Sequence, residues 1–252
     1  MATLEGRVGI VTASAGAGIG QATARALAQR GASIVVTDVH EKRTEDVAGA
    51  LRAEGFKAIG VPADVRNWEQ VQNVINKTIS EFGRIDILVN NAAREILAPI
   101  VDTTEENWDL VIDVCLKGTF LCTKSVLPTM IKQRSGSIVN ISSVDGYIGS
   151  NVGECAYCSA KAGIMAFTRV TAAENAMNNI RANCIAPGVV PNAFLEKIYP
   201  KEALQAMQSM SVLGRGAKPE EIANIVAFLV SDDASYVTGE VINASAGMYW
   251  SP

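Results

Sequence analysis

Short runs of β-branched and other apolar residues alternate along the chain with longer stretches of helical composition. "RVGIVT" ends at Thr12, and "GIGQATARALAQRG" follows it with an Ala/Leu/Arg composition and closes at Gly31, a residue suited to a helix C-terminus. "SIVVTD" reads as the second strand and "EKRTEDVAGALRAEG" as the second helix, ending at Gly55. "KAIGVPAD", "RIDILVNNA" and "GSIVNIS" supply strands three to five, and a long helix over about Thr104 to Gln133 lies between the last two. A helix after Tyr157 runs to about Met177, "IRANCIAPG" forms a sixth strand, and "PEEIANIVAFLVSD" and "EVINA" complete the alternation.

Short strands that are apolar on both faces and separated by helices predict a parallel sheet covered on both sides. Right-handed crossovers then give an α/β fold, a Rossmann-type doubly wound sheet. No repeat, low-complexity tract or linker divides the chain, so residues 1–252 read as one domain. The one long irregular stretch runs from Val190 to Lys218, and a loop of that length suits a substrate lid.

Composition narrows the class. The chain is 48% hydrophobic and 19% charged, with a net charge of −4, which gives no electrostatic reason to expect nucleic acid or an anionic membrane as partner. Five cysteines in 252 residues are an odd number in a chain too long to need disulfide staples, which favours a reducing, cytoplasmic setting. The start "MATLEGRVGIVTASAGAG" does not read as a signal peptide, and no apolar run is long enough for a membrane span.

Three features carry candidate chemistry. Gly16, Gly18, Ile19 and Gly20 lie in "TASAGAGIG", between the first strand and the first helix. Glycines there let backbone N–H groups approach a phosphate at the positive end of a helix. Asp38 ends the second strand, where a carboxylate can accept hydrogen bonds from a ribose diol and repel a 2′-phosphate. Alone it reads equally as a helix N-cap; with the glycines it favours a dinucleotide, NAD. Tyr157 and Lys161 are four apart, so on a helix they share a face, and the ammonium is expected to lower the phenol's pKa. Ser143, at the end of the fifth strand, is placed to bond a substrate oxygen. "CAYCSAK" holds a competing motif, the Cys155–Cys158 pair with redox or metal spacing. That pair brackets a Tyr-x-x-x-Lys pair instead of opening a helix beside the first strands, and Cys115, Cys122 and Cys184 do not complete a zinc set. His40 reads as a solvated helix-start residue.

Over essentially its whole length the chain resembles a classical short-chain dehydrogenase/reductase. The matching pieces are "TASAGAGIG", Asp38, "ADV" at Ala63 to Val65, "NNAA" at Asn90 to Ala93, "ISS" at Ile141 to Ser143, "YCSAK", "APG" at Ala186 to Gly188 and "YVTGE", in that family's order. The resemblance implies that Tyr157 is the acid/base, that Lys161 lowers its pKa and binds the nicotinamide ribose, and that Ser143 orients the carbonyl or hydroxyl. It implies that Asp64 and Val65 hold the adenine, that Asn91 and Val190 line the cofactor site, and that the protein is a homo-oligomer, a tetramer or dimer.

Four positions depart from the family's pattern. Ala13 stands where a glycine is expected, in a turn one residue longer than usual; "NNAG" has become "NNAA"; and Asn192 replaces a threonine and can still bond a carboxamide. Cys115 replaces the family's catalytic asparagine, which puts the water relay behind Lys161 in question.

The expected activity is NAD-dependent interconversion of a secondary alcohol, a small molecule, and its ketone. Two other readings stay open: a cofactor-binding protein with little catalysis, suggested by Cys115, and a thiol-redox protein. In the lid stretch Phe194, Leu195, Ile198, Tyr199, Met207 and Met210 suit either an apolar pocket or plain helix packing.

Overall fold

Seven strands pair in parallel in the computed structural model, which describes residues 3–250: β1 (Val8–Thr12), β2 (Ser33–Thr37), β3 (Ala58–Gly60), β4 (Ile87–Asn90), β5 (Gly136–Ile141), β6 (Ile180–Pro187) and β7 (Val241–Ala244). Their order is β3-β2-β1-β4-β5-β6-β7. All five residues of β1 and all four of β4 are buried, as strands covered on both faces require. The order reverses between β1 and β4, and in such sheets the crevice beyond the strand C-termini at that point takes ligands.

The nine α-helices among the described residues are α1 (Ile19–Ala28), α2 (Glu41–Ala53), α3 (Trp68–Phe82), α4 (Glu105–Ile112), α5 (Gly118–Gln133), α6 (Cys155–Asn175), α7 (Leu195–Ile198), α8 (Lys201–Ser209) and α9 (Pro219–Leu229). Successive strand residues point to opposite faces. Ile34 and Val36 therefore pack with Leu27 of α1, Leu51 of α2 and Val226 of α9, while Val35 packs with Val71 and Val74 of α3 and Val126 of α5. Each fully buried side chain of this size contributes about 1.5–3 kcal/mol.

Several boundaries differ from the sequence reading. The helix expected to close at Gly31 ends at Ala28, and Gln29 and Arg30 lead to Gly31 at φ 98°. The third strand keeps only Ala58–Gly60, although beyond it the Val61 and Ala63 N–H groups still donate to the Val36 and Asp38 carbonyls, each at 3.0 Å. The helix expected after Tyr157 begins before it, at Cys155. The alternation read from the sequence has no element at 68–82, where α3 forms: Asn67 caps it by accepting from the Gln70 N–H at 3.0 Å and Gly83 ends it at φ 76°. The 190–218 stretch, read as irregular, holds α7 and α8.

The helix expected over Thr104 to Gln133 is there, with a change of pitch inside it. Residues Asp113–Lys117 form a π turn between α4 and α5, closed by the Gly118 N–H on the Asp113 carbonyl. Such turns frequently interrupt helices at functional sites, and this one carries Cys115.

The β1–α1 turn holds one strained residue. Ala13 has φ 49°, in the left-handed region where a side chain costs about 1–2 kcal/mol. This is the position where the family's pattern has glycine. Part of any relief is offset by glycine's greater freedom in the unfolded chain. Ala13→Gly is therefore expected to stabilise the protein by about 0.5–1 kcal/mol, raising Tm by about 1–4 °C in calorimetry. An unchanged or lower Tm would show the turn to be unstrained.

Candidate active site

At the switch point, β1 passes into α1 through a loop tied to β4. The Thr12 hydroxyl accepts the Asn91 and Ala92 N–H groups at 2.8 and 3.0 Å, and Asn91 Nδ2 donates to the Thr12 and Ala13 carbonyls, each at 3.1 Å. A Cβ on Gly20 would lie 2.4 Å from the Ala13 carbonyl and 2.5 Å from Asn91 Nδ2, so only glycine fits. A Cβ on Gly16 or Gly18 would meet nothing within 4 Å, so the loop faces open space there. No side chain caps the N-terminus of α1 and its first turn has no acidic residue. Free helix N–H groups beside an open glycine loop suit a phosphate, so the residues fit a dinucleotide.

Asp38 sits at the mouth of this loop, half-buried, with its carboxylate accepting from the Ala15 N–H at 3.4 Å and the His40 N–H at 3.2 Å. Burial raises its pKa, against the backbone bond from Ala15 and the nearby Arg43. His40 is exposed at the start of α2, as the sequence suggested. The Asp64 carboxylate is held on both oxygens by Arg66 at 2.6–3.0 Å, which lowers its pKa. Val65 is buried against α5, where a Cβ on Gly118 would come within 2.6 Å of it. Val190 is also buried. Asn192 is occupied within its own segment, donating to the Val190 carbonyl at 2.9 Å and accepting from the Phe194 and Leu195 N–H groups.

Further along the same sheet edge, Ser143, Tyr157 and Lys161 come together. Lys161 is 1% exposed, and its Nζ donates to the Ile141 carbonyl at 2.8 Å and lies 5.3 Å from the centre of the Tyr157 ring. The Ser142 hydroxyl donates to the Lys161 carbonyl at 2.7 Å, fixing α6 on the end of β5. Below them, Asn90 Nδ2 donates to Asn140 Oδ1 at 2.8 Å and Asn140 Nδ2 to Thr168 Oγ1 at 2.9 Å, joining β4, β5 and α6. The Ser143 hydroxyl donates to Asp145 at 2.7 Å and accepts the Asp145 N–H at 3.2 Å. Its remaining acceptor capacity is what it can offer a substrate hydroxyl.

A family model described as enoyl-(acyl carrier protein) reductase matches residues 13–249. The chain is 42% identical to the 3-oxoacyl-(acyl-carrier-protein) reductase FabG of Thermotoga maritima, over 97% of this chain and 98% of that one. It is 41% identical to a hydroxy-methyl-oxo-hexahydroindene-carboxyl-CoA reductase of Mycobacterium tuberculosis, over 96% of this chain and 93% of the relative. The crystal structure of gox2181 superposes with a TM-score of 0.94 at 36% identity, covering 98% of this chain and 96% of that one. With its parallel sheet and its match over nearly the whole length, the chain belongs to the short-chain dehydrogenase/reductase family, oxidoreductases that act on CH–OH and ketone groups.

All five cysteines are free, burial pushes Cys158 up to about 11 and Cys122 up to about 12, and no metal-binding cluster exists among the described residues. Cys115 is fully buried, with its thiol both accepting the Arg94 N–H and donating to the Arg94 carbonyl at 3.3 Å. It thereby pins the start of the loop after β4.

Four residues at this edge were not singled out in the sequence for chemistry: Asp145, Glu95, Glu154 and Tyr199. Glu95 and Glu154 are 7% and 4% exposed, and the Tyr199 hydroxyl bonds both carboxyl groups. Tyr199, expected to face an apolar pocket or pack a helix, instead turns its polar end onto acids, while Phe194 and Met210 remain exposed. No spacing rule links positions 95, 154 and 199; only the fold brings them together.

Burial pushes the Tyr157 phenol well above its ordinary value, and Glu95, Cys115 and Asp145 add to the rise, against a hydrogen bond with Ser143. Burial likewise lowers the Lys161 pKa, opposed by Cys115, Cys184, Glu95 and Asp145.

Burial and the neighbouring Glu154 push the Glu95 carboxyl from 4.5 up to about 8. Between those values the folded protein keeps a proton that the unfolded chain releases, so stability falls as pH rises through that window and levels above it. At about 1.4 kcal/mol per unit, the loss is on the order of a few kcal/mol. Glu95→Gln removes this titration and keeps an acceptor for Tyr199. Its Tm is expected to exceed the wild type's at alkaline pH and to approach it near pH 5. Parallel pH profiles for the two proteins would show that Glu95 does not titrate in this window.

Proposed function

We propose that the protein is an NAD-dependent oxidoreductase of one domain that interconverts a secondary alcohol and its ketone. The observation that carries this reading is the placement of Tyr157 over the buried Lys161, next to Ser143 and beside the open glycine loop. In this reading Gly16, Gly18, Ile19 and Gly20 receive the pyrophosphate, Asp38 the adenosine ribose, and Val65 with Asp64 the adenine, while Asn91 and Val190 line the nicotinamide end. When bound, NAD supplies the hydride acceptor and, in its oxidised form, a positive charge.

Tyr157 exchanges the proton of the alcohol oxygen. With its pKa raised in the protein alone, the phenol starts protonated, which suits it to donate to a ketone. Ser143 holds the substrate oxygen against Tyr157, and Lys161 favours the phenolate once the proton has left. The 190–218 segment closes over the substrate as a lid, and the protein works as a small homo-oligomer in the cytoplasm.

A reading without catalysis draws only on Cys115, whose thiol is committed to the Arg94 backbone. It is tested together with the first. Tyr157→Phe is expected to lower turnover 10²–10⁴-fold with NADH binding close to normal. Wild-type protein that binds NADH yet turns over no member of a broad alcohol and ketone panel would favour the binding-protein reading.

NAD is expected over NADP by more than about tenfold in kcat/KM, since a 2′-phosphate would meet the Asp38 carboxylate. Replacing Asp38 with Ser and the exposed Val39 with Arg is expected to narrow the gap. Comparable efficiency of the wild type with both cofactors would overturn the assignment.

A further inference from the structure

The first turn of α6 holds chemistry that the dehydrogenase reading does not use. Cys155 opens the helix and Cys158 follows three residues later, with Tyr157 between them. Both thiols are free and partly exposed, whereas Cys115, Cys122 and Cys184 are at most 5% exposed. Cys115 is also held by the Arg94 backbone, so the thiols open to a reagent are these two.

Helix geometry brings the pair within bridging range. Residues three apart share a face, and the rise and radius of an α-helix put their Cα atoms about 5 Å apart, inside the span of roughly 4.4–6.8 Å that a disulfide accepts. Their Cβ atoms stand about 5–6 Å apart in a regular helix, and a disulfide needs roughly 3.5–4.5 Å. Closing the bond therefore draws this turn together by about 1–2 Å. The next turn does not follow, because the Lys161 Nζ is fixed on the Ile141 carbonyl and the Ser142 hydroxyl on the Lys161 carbonyl. The displacement falls on the turn that carries Tyr157, and misplacing a reacting group by about 1 Å can lower the rate about 10²-fold.

We propose that Cys155 and Cys158 form a reversible disulfide that switches the active site off, with a small-molecule disulfide such as oxidised glutathione as the oxidant. The Cys155 thiolate attacks one sulfur of the oxidant and expels a glutathione thiolate, leaving a mixed disulfide. Cys158 then loses its proton, attacks the Cys155 sulfur and expels the second glutathione thiolate. The two cysteines give up two electrons and two protons, and the oxidant takes them up as two thiols. Burial, with Asp145 and Glu154, pushes Cys158 up to about 11, which assigns the first attack to Cys155 and makes ring closure slow at neutral pH. In turning toward Cys158, Cys155 gives up a contact with the Thr103 hydroxyl at 3.4 Å, and a thiol is a weak hydrogen-bonding partner. In a reducing compartment such a pair is a sensor and not a structural staple. The effect on turnover rests on the dehydrogenase reading above; the bond itself does not.

The test incubates the full chain with excess oxidised glutathione at mildly alkaline pH, and afterwards with dithiothreitol. In the wild type, the peptide carrying both cysteines is expected to become lighter by two hydrogens. Turnover with NAD and the fastest alcohol of a panel that includes cyclohexanol and 2-octanol is expected to fall at least tenfold. Both changes reverse with dithiothreitol. Cys155→Ser is expected to keep its turnover under the same treatment, and Cys158→Ser to stop at the glutathione adduct of Cys155. A wild type that forms no bond between the two cysteines, or forms it with turnover unchanged, would overturn the switch and leave the dehydrogenase reading standing. An equal loss of turnover in Cys155→Ser would do the same. Should no alcohol or ketone turn over in the reduced protein, the dehydrogenase reading fails and the off-switch with it, while the peptide mass still decides whether the pair closes.

Discussion

The ammonium of Lys161 lies almost wholly out of water, and holding it there constrains the site more than any other single requirement. A buried cation costs several kcal/mol unless hydrogen bonds and opposite charge compensate it. The Ile141 carbonyl at the end of β5 supplies the bond, and the Ser142 hydroxyl locks the lysine's own carbonyl. These two contacts set how far α6 slides along the sheet. Tyr157, one turn earlier, is thereby carried to the strand ends, next to Ser143. The side-chain series Asn90–Asn140–Thr168 ties β4 to the same two elements, β5 and α6.

Negative groups around this cation have a second effect, on the phenol. Each favours the charged lysine and disfavours a charged tyrosine. Together with burial they favour a protonated Tyr157. In the proposed reaction, the positive charge of an oxidised nicotinamide would shift that balance toward the phenolate.

The alternation of strands and helices was legible because fully buried parallel strands read as apolar runs, and the sheet follows from them. Tyr157, Lys161, Ser143 and the glycine turn were legible for another reason: local spacing fixes their geometry, and helix or turn keeps it. Glu95, Asp145, Glu154 and Tyr199 were not, since their meeting depends on tertiary placement of segments up to 104 residues apart. Asn91 was noted as lining the cofactor site, but its bonds to Thr12 and Ala13 could not be read from a strand-end position. Cys115 was visible as a departure from the family's pattern, whereas its hold on the Arg94 backbone arises from a helix pitch that composition does not encode.

That pitch has a consequence of its own. An α-helix advances about 100° per residue, so the wide turn at Asp113–Lys117 acts as a phase shift between α4 and α5. Upstream of it the phase is set by Val111 against α6; downstream, by Val126 and Met130 against α3 and the sheet. With both ends anchored by their packing, the turn between them has no freedom to wind more tightly. Removing one residue there would make the backbone regular and the molecule wrong. Either α5 would present a different face to the sheet, or Cys115 would rotate away from Arg94 and release the loop that carries Glu95. In this stretch the count of residues matters as much as their identity.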